Sequence, residues 1–249
     1  PSLHPRCNEM EQLHIGHVTE EARPRFQDLI SILGACGTSR SLWLNSIGQF
    51  CINIGWAFLI TWLPTYLKES HGMEGSQGAL IVTIILAMGM IGQPIGGWAT
   101  DQSVKQFGLR FGRVLPICLA SLVASCAYLC CSLVDSLWVI VVCCAVVSLM
   151  TDIGNPSTWA FMQDVGGRHT GAVFGWGNMW GNLGAATSSM MVPYLMEYGQ
   201  KSGSGYSLVF YACAGAFLLS GLLALGMDAT KPLERKRIVT GPAGSGETL

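Results

Sequence analysis

The sequence predicts an all-α membrane protein with six transmembrane helices. Three observations carry that prediction. Half of the 249 residues are hydrophobic and only 12% are charged, whereas a soluble domain has about a quarter of its residues charged. Six apolar segments, at residues 42–67, 77–100, 114–134, 137–161, 171–196 and 206–227, each reach the roughly 20 residues that a hydrocarbon core requires, and none contains Lys or Arg. The 14 cations fall on alternating connections, with 12 on one side and two, Lys68 and Lys201, on the other. The positive-inside rule then puts both termini in the cytoplasm. The net charge of −1 offers no basis for a nucleic-acid partner.

Residues 1–41 are polar and carry Arg6, Arg23, Arg25 and Arg40. They lack the apolar core and cleavage site of a signal peptide. The chain opens on Pro1 and reads as a fragment whose upstream part is missing. The first span places Gln49 and Asn53 four residues apart, on one helical face, with Trp56 a turn further on. The second span contains "GMIGQPIGGW", in which Gly92 and Gly96 permit close helix approach and Pro94 bends the helix. The third and sixth spans are nearly featureless and read as lipid-facing supports.

The fourth span reads "LMTDIGNPSTWAFMQD". Pro156 is expected to kink it and free a carbonyl. Asp152 is the only acid deep inside a span, where a charged carboxylate costs about 3 kcal/mol or more, so it is a candidate for coupling or transport and equally for a structural hydrogen bond. The fifth span, "GAVFGWGNMWGNLGAA", repeats small-residue pairs at Gly171/Gly175 and Gly177/Gly181 and sets Asn178 and Asn182 on one face. Asn182 lies about 18 Å into its helix, near the midplane depth at which transporter sites sit. The asparagines either glue helices together or line a polar cavity. Polar stripes on three helices at comparable depth argue for a shared cavity. The tail 230–249 is polar, glycine-rich and expected to be disordered.

Eight of the ten cysteines lie in spans and read as small packing residues. His4, Cys7, His14 and His17 are too closely spaced for the usual zinc-finger pairing and read as part of a solvated segment. No metal, cofactor or catalytic constellation is expected.

"GGWATDQSVKQFGLRFGR", from Gly96 to Arg113, joins the second and third spans. Its G-G-x-x-x-D followed by spaced cations resembles the loop signature of the major facilitator superfamily, found between the second and third helices of each six-helix half. Gln102 stands where the signature usually has Arg, and the loop is longer. Gly96 and Gly97 let helix ends close together, while Asp101 could pair with a cation such as Arg110 or Arg113 in a cytoplasmic gate. "HPRCNEMEQLHIG", "SIGQF", "ITWLPTYL", "TWAFMQDVGG" and the fifth span are similar to segments of the anion:cation symporter branch, the sugar-acid permeases for galactonate, glucarate and hexuronate.

That resemblance implies a C-terminal half of the fold, helices seven to twelve. Residues 1–41 would be central loop, 42–229 the six-helix bundle and 230–249 the tail. It implies proton symport of a small organic anion by alternating access in the bacterial inner membrane, with a missing N-terminal six-helix half as partner. The expected substrate ligands are Gln49, Asn53, Asn155, Trp159, Asn178 and Asn182, with Asp152 a candidate for proton coupling. The expected gate residues are Gly97, Asp101, Arg110 and Arg113. The rival is an aquaporin-like channel, because "GNPST" resembles an Asn-Pro-Ala element, but such channels need two. An intramembrane serine protease would need a membrane-embedded His, and all five histidines lie outside the spans.

Overall fold

The computed structural model describes residues 26–73 and 75–233. Among them the only regular structure is helical: α1 (Phe26–Thr38), α2 (Arg40–Ala57), a π-helical turn (Phe58–Trp62), α3 (Leu63–His71), α4 (Gly75–Leu133), α5 (Leu137–Gly166), a short 3-10 turn (Gly167–His169), α6 (Thr170–Ser202) and α7 (Ser207–Leu225). Residues 4–17, with the paired histidines and Cys7, lie outside the described residues, as does the tail beyond 233. Within the stretch expected as polar loop, α1 adds a helix of 13 residues. Ser39 separates it from α2 by taking an extended backbone and accepting the Leu42 amide on Oγ at 3.4 Å.

Four helical stretches are long and apolar enough to cross a membrane: Arg40–His71, Gly75–Leu133, Leu137–Ser202 and Ser207–Leu225. Two of them, at 59 and 66 residues, would reach roughly 90–100 Å if straight, three times a hydrocarbon core. Both fold back instead. In α4 the reversal is at Gly108, with φ 76° and ψ 174°, a region open essentially only to glycine. A Cβ at Gly96 would strike the Ile153 carbonyl, while Ala120 packs 3.6 Å from the Cβ position of neighbouring Gly154. The two limbs of α4, 75–107 and 109–133, therefore flank the same point of α5. Gly167, with φ 51°, makes the second reversal, and the Met162 sulfur approaches the Cβ position of Gly177 across it. Six apolar limbs result. The helices run past the expected span ends, to 107 and 202 in two cases, because neither Pro94 in α4 nor Pro193 in α6 ends its helix.

Small residues and hydroxyls set the packing, as expected where lipid removes the hydrophobic drive between helices. Gly92 and Gly96 abut the backbone of α5 at Leu149 and Ile153, and Gly184 of α6 abuts the Phe50 carbonyl of α2. Gly171 and Gly175, in contrast, face open space. Interhelical bonds run from Ser188 Oγ to the Ile54 carbonyl, Ser125 Oγ to the Ala214 carbonyl and Tyr128 Oη to the Gly55 carbonyl, each at 2.8 Å. Around Tyr128, the rings of Phe58, Phe210 and Phe217 stack with centroids 5.6–6.5 Å apart and form one apolar core. A second core, built on Leu42, Val114, Phe161 and Val173, lies toward the other end of the bundle.

Candidate functional site

The first polar face belongs to α2 and α6. Asn45, Gln49 and Asn53 recur every four residues along α2, so their amides rise along one face. Gly177 and Gly181 of α6 leave room for that face. Asn45 Nδ2 lies 3.9 Å from the Cβ position of Gly177, and Asn53 Nδ2 lies 3.0 Å from that of Gly181. Asn53 donates back to the Gln49 carbonyl at 2.8 Å and Asn182 to the Asn178 carbonyl at 2.9 Å. Asn178 and Asn182 are exposed, while Gln49 and Asn53 are half-buried. Asn45 differs: it is 4% exposed, and its Nδ2 has no hydrogen-bond partner. A buried amide left unpaired costs free energy and calls for an explanation. Beside it, Trp43, Trp176 and Trp180 form a ring cluster with centroids 5.0–6.2 Å apart. The indole nitrogens of Trp176 and Trp180 are also buried without a partner.

The second polar group is centred on Asp152 of α5. Its Oδ1 accepts from Gln93 Nε2 at 2.9 Å and from Asn155 Nδ2 at 3.0 Å. Glycine makes the approach possible, since a Cβ at Gly89 would fall on Asp152 Oδ2 and 2.8 Å from Ser148 Oγ. Pro156 lacks an amide hydrogen, so the Asp152 carbonyl has no helical donor four residues on. The carboxyl group and the free carbonyl thus put hydrogen-bond acceptors at one place in an apolar helix. One turn further toward the Gly108 reversal, Thr100 and Ser157 share a buried hydroxyl contact of 2.5 Å.

The expected ligands therefore divide into two groups. Asn155 joins Asp152, whereas Gln49, Asn53, Asn178 and Asn182 form the α2–α6 face. No hydrogen bond links the groups among the described residues, and Trp159 is 45% exposed. At the turn, Gly97 is half-buried and Asp101 exposed. Arg113 donates Nε to Asp164 at 2.7 Å, so in this conformation it holds the end of α5 instead of Asp101. The Arg110 guanidinium lies 5.6 Å from the Phe111 ring centre.

Sequence reasoning missed Asn45, Gln93 and the Thr100–Ser157 pair. Asn45 carried a usable signal, because it precedes Gln49 by four residues. Gln93 carried none, since its partner is 59 residues away in the chain. The π-helical turn at Phe58–Trp62 was also unforeseen. It precedes Pro64, whose missing amide hydrogen disturbs the helical ladder.

Comparison with known proteins follows the same outline. The sequence model of the Major Facilitator Superfamily matches residues 45–245. Over 242 residues the chain is 28% identical to a Bacillus subtilis protein named "Probable galactarate/D-glucarate transporter GudP", covering 91% of this chain and 51% of that protein. It is 30% identical over 190 residues to the "Probable sulfoacetate transporter SauU" of Cupriavidus necator, covering 74% of this chain and 42% of the relative. A protein of Escherichia coli named "D-galactonate transporter" is 26% identical over 188 residues, 72% of this chain and 41% of the relative. The chain spans about half the length of the curated relatives it matches. Among solved structures, tetrameric PepTSo2 superposes with a TM-score of 0.61 at 16% identity, over 75% of this chain and 39% of that one, which establishes likeness of fold alone.

Proposed function

The chain belongs to the Major Facilitator Superfamily, and we propose that it is the C-terminal half of a transporter that moves a sugar acid together with protons. Transport of an organic anion is supported by the names of the relatives, which include galactarate/D-glucarate, galactonate and sulfoacetate carriers. None of these is an enzyme by name. The observation that carries the reading is the α2–α6 face, where Asn45 is buried with an unpaired Nδ2 beside the amides of Gln49, Asn53, Asn178 and Asn182. A polyhydroxylated acid offers hydroxyls that both donate and accept, as amides require. Sulfoacetate has no hydroxyl group, so it would leave most of these amides unanswered. Asp152 is the proton-coupling group of this half, and its bundle would rock against an N-terminal half of six helices. The six limbs are six membrane crossings with both termini in the cytoplasm, in the inner membrane of a bacterium.

Under this reading, Gly97, Asp101, Arg110 and Arg113 close the cytoplasmic side in one conformation. The Arg113–Asp164 pair is then the partner arrangement of another. A channel has little support, since the relatives are named transporters and "GNPST" lies within continuous helix. The test is uptake of labelled galactarate, glucarate, galactonate, glucuronate and sulfoacetate by cells producing the full-length protein, with and without a proton uncoupler. Uncoupler-sensitive uptake of a hydroxylated acid supports the reading. Uptake of sulfoacetate alone, or uptake indifferent to the uncoupler, rejects the corresponding part of it.

A further inference from the structure

We propose that a cationic pocket at the cytoplasmic edge of the bundle holds the phosphate headgroup of an anionic phospholipid. The pocket has a volume of about 740 Å³ and lies where the start of α2, the Gly108 reversal and the end of α7 meet. Arg40, Arg110 and Lys231 line it, together with Ser39, Ser41 and Asp228. Among the described residues, Arg40 and Arg110 form no ion pair. Lys231 reaches Asp228 at 3.4 Å, so among the described residues two guanidinium groups at the pocket have no carboxylate partner.

Asp228 is already committed elsewhere. Its Oδ1 accepts the Thr230 hydroxyl at 2.6 Å and the Thr230 amide at 3.1 Å. These bonds, the hydroxyl first, hold its carboxyl below the usual carboxylate value. Ser41 Oγ accepts the Asp228 amide at 3.2 Å and so ties the start of α2 to the end of α7. The pocket is thus built on tied helix ends, and its described lining carries an excess of two positive charges.

What lies beside it identifies the source of the anion. The second limb of α4 begins at the pocket with Arg110 and continues with Leu119 and Leu122, 61% and 49% exposed. The last turns of α7 present Leu218, Leu222 and Leu225, of which the last is 58% exposed. Leu225 directly precedes the pocket residue Gly226, so an acyl chain descending from a headgroup held there meets exposed leucine side chains. A soluble phosphate would need no such surface. Basic pockets between helices on the cytoplasmic side are a known place for anionic headgroups, with each basic residue contributing about 1 kcal/mol. The inference rests on the proposed orientation of the chain and is independent of the transported substrate.

The experiment titrates the full-length protein in neutral detergent with phosphatidylglycerol, phosphatidylcholine or inorganic phosphate and follows thermal unfolding. Phosphatidylglycerol is expected to stabilise it well beyond phosphatidylcholine, and inorganic phosphate to have no matching effect. The double variant Arg40→Gln/Lys231→Gln should bind phosphatidylglycerol about thirtyfold more weakly. Arg110→Gln should act in the same direction, and Lys105→Gln, outside the pocket, should retain the preference. No preference between the two lipids in the unaltered protein would overturn the proposal whatever the variants do. So would equal loss in Lys105→Gln, or stabilisation reproduced by inorganic phosphate. Because transport is not read, failure here leaves the substrate assignment standing and the reverse holds as well.

Discussion

Asp152 and Asn45 pose opposite problems at the residue scale. The carboxyl group of Asp152 accepts from two amide donors, Gln93 and Asn155. The Asn45 amide is buried with no acceptor. Asp152→Asn is nearly isosteric and should leave the protein inserted. If Asp152 carries the coupling proton, uncoupler-sensitive uptake should fall about a hundredfold or more, the usual range for losing a proton-transfer group. Unchanged uptake would make it a structural acid. Asn45→Ala removes an Nδ2 that has no partner in the unliganded bundle, so the thermal stability should change by less than about 1 kcal/mol or rise. Its KM for the transported acid should increase severalfold. A loss of stability with KM unchanged would assign Asn45 to packing. Most of this chemistry was legible, because amides and an acid inside apolar helices stand out by type alone. Gln93 was not, since only tertiary packing brings it to Asp152.

At the scale of elements, glycine decides where helices touch and where they turn. The pairs Gly92/Gly96 and Gly177/Gly181 could be read as contact points from their spacing, and both serve as such. The identical spacing of Gly171/Gly175 meets nothing within 4 Å, so spacing alone does not say which face has a neighbour. Gly184→Val should displace α2 from α6, because even a Cβ there would overlap the Phe50 carbonyl. Gly215→Val on α7 meets open space and serves as the control. The first should lower thermal stability by about 1–3 kcal/mol, the usual cost of overpacking, and the second by much less. Gly108→Ala tests the reversal of α4 by another route. Its φ of 76° with an extended ψ strains any side chain by about 1–3 kcal/mol. The reversal lies in "QFGLRFG", where Gly108 and Gly112 are equal candidates by residue type, so its position could not be placed within the longer cytoplasmic turn.

At the scale of the whole molecule, charge and packing decide how often the chain crosses the bilayer. Length and composition delimit four apolar helices, whereas the reversals at Gly108 and Gly167 produce six limbs. The two counts disagree about a single connection, at Asp135. With four crossings, α4 would pass once through the membrane and Asp135 would sit in the cytoplasm. With six it lies outside, and Phe107 lies inside. Charge favours six: no cation falls between Arg113 and Arg168, while three precede Val114 after residue 100, as the positive-inside rule requires of a cytoplasmic turn. Packing favours six as well. A straight α4 could not set both Gly96 and Ala120 against Ile153 and Gly154, since 24 residues of helix extend about 36 Å. Alkaline phosphatase fused after Asp135 should be active, as should a fusion after Gly203, and fusions after Phe107 and Gly167 should be inactive. An inactive fusion at Asp135 beside an active one at Gly203 would restore the four-crossing count. It would also remove the cytoplasmic placement of the Gly97–Arg113 turn, on which both the gate and the lipid pocket depend.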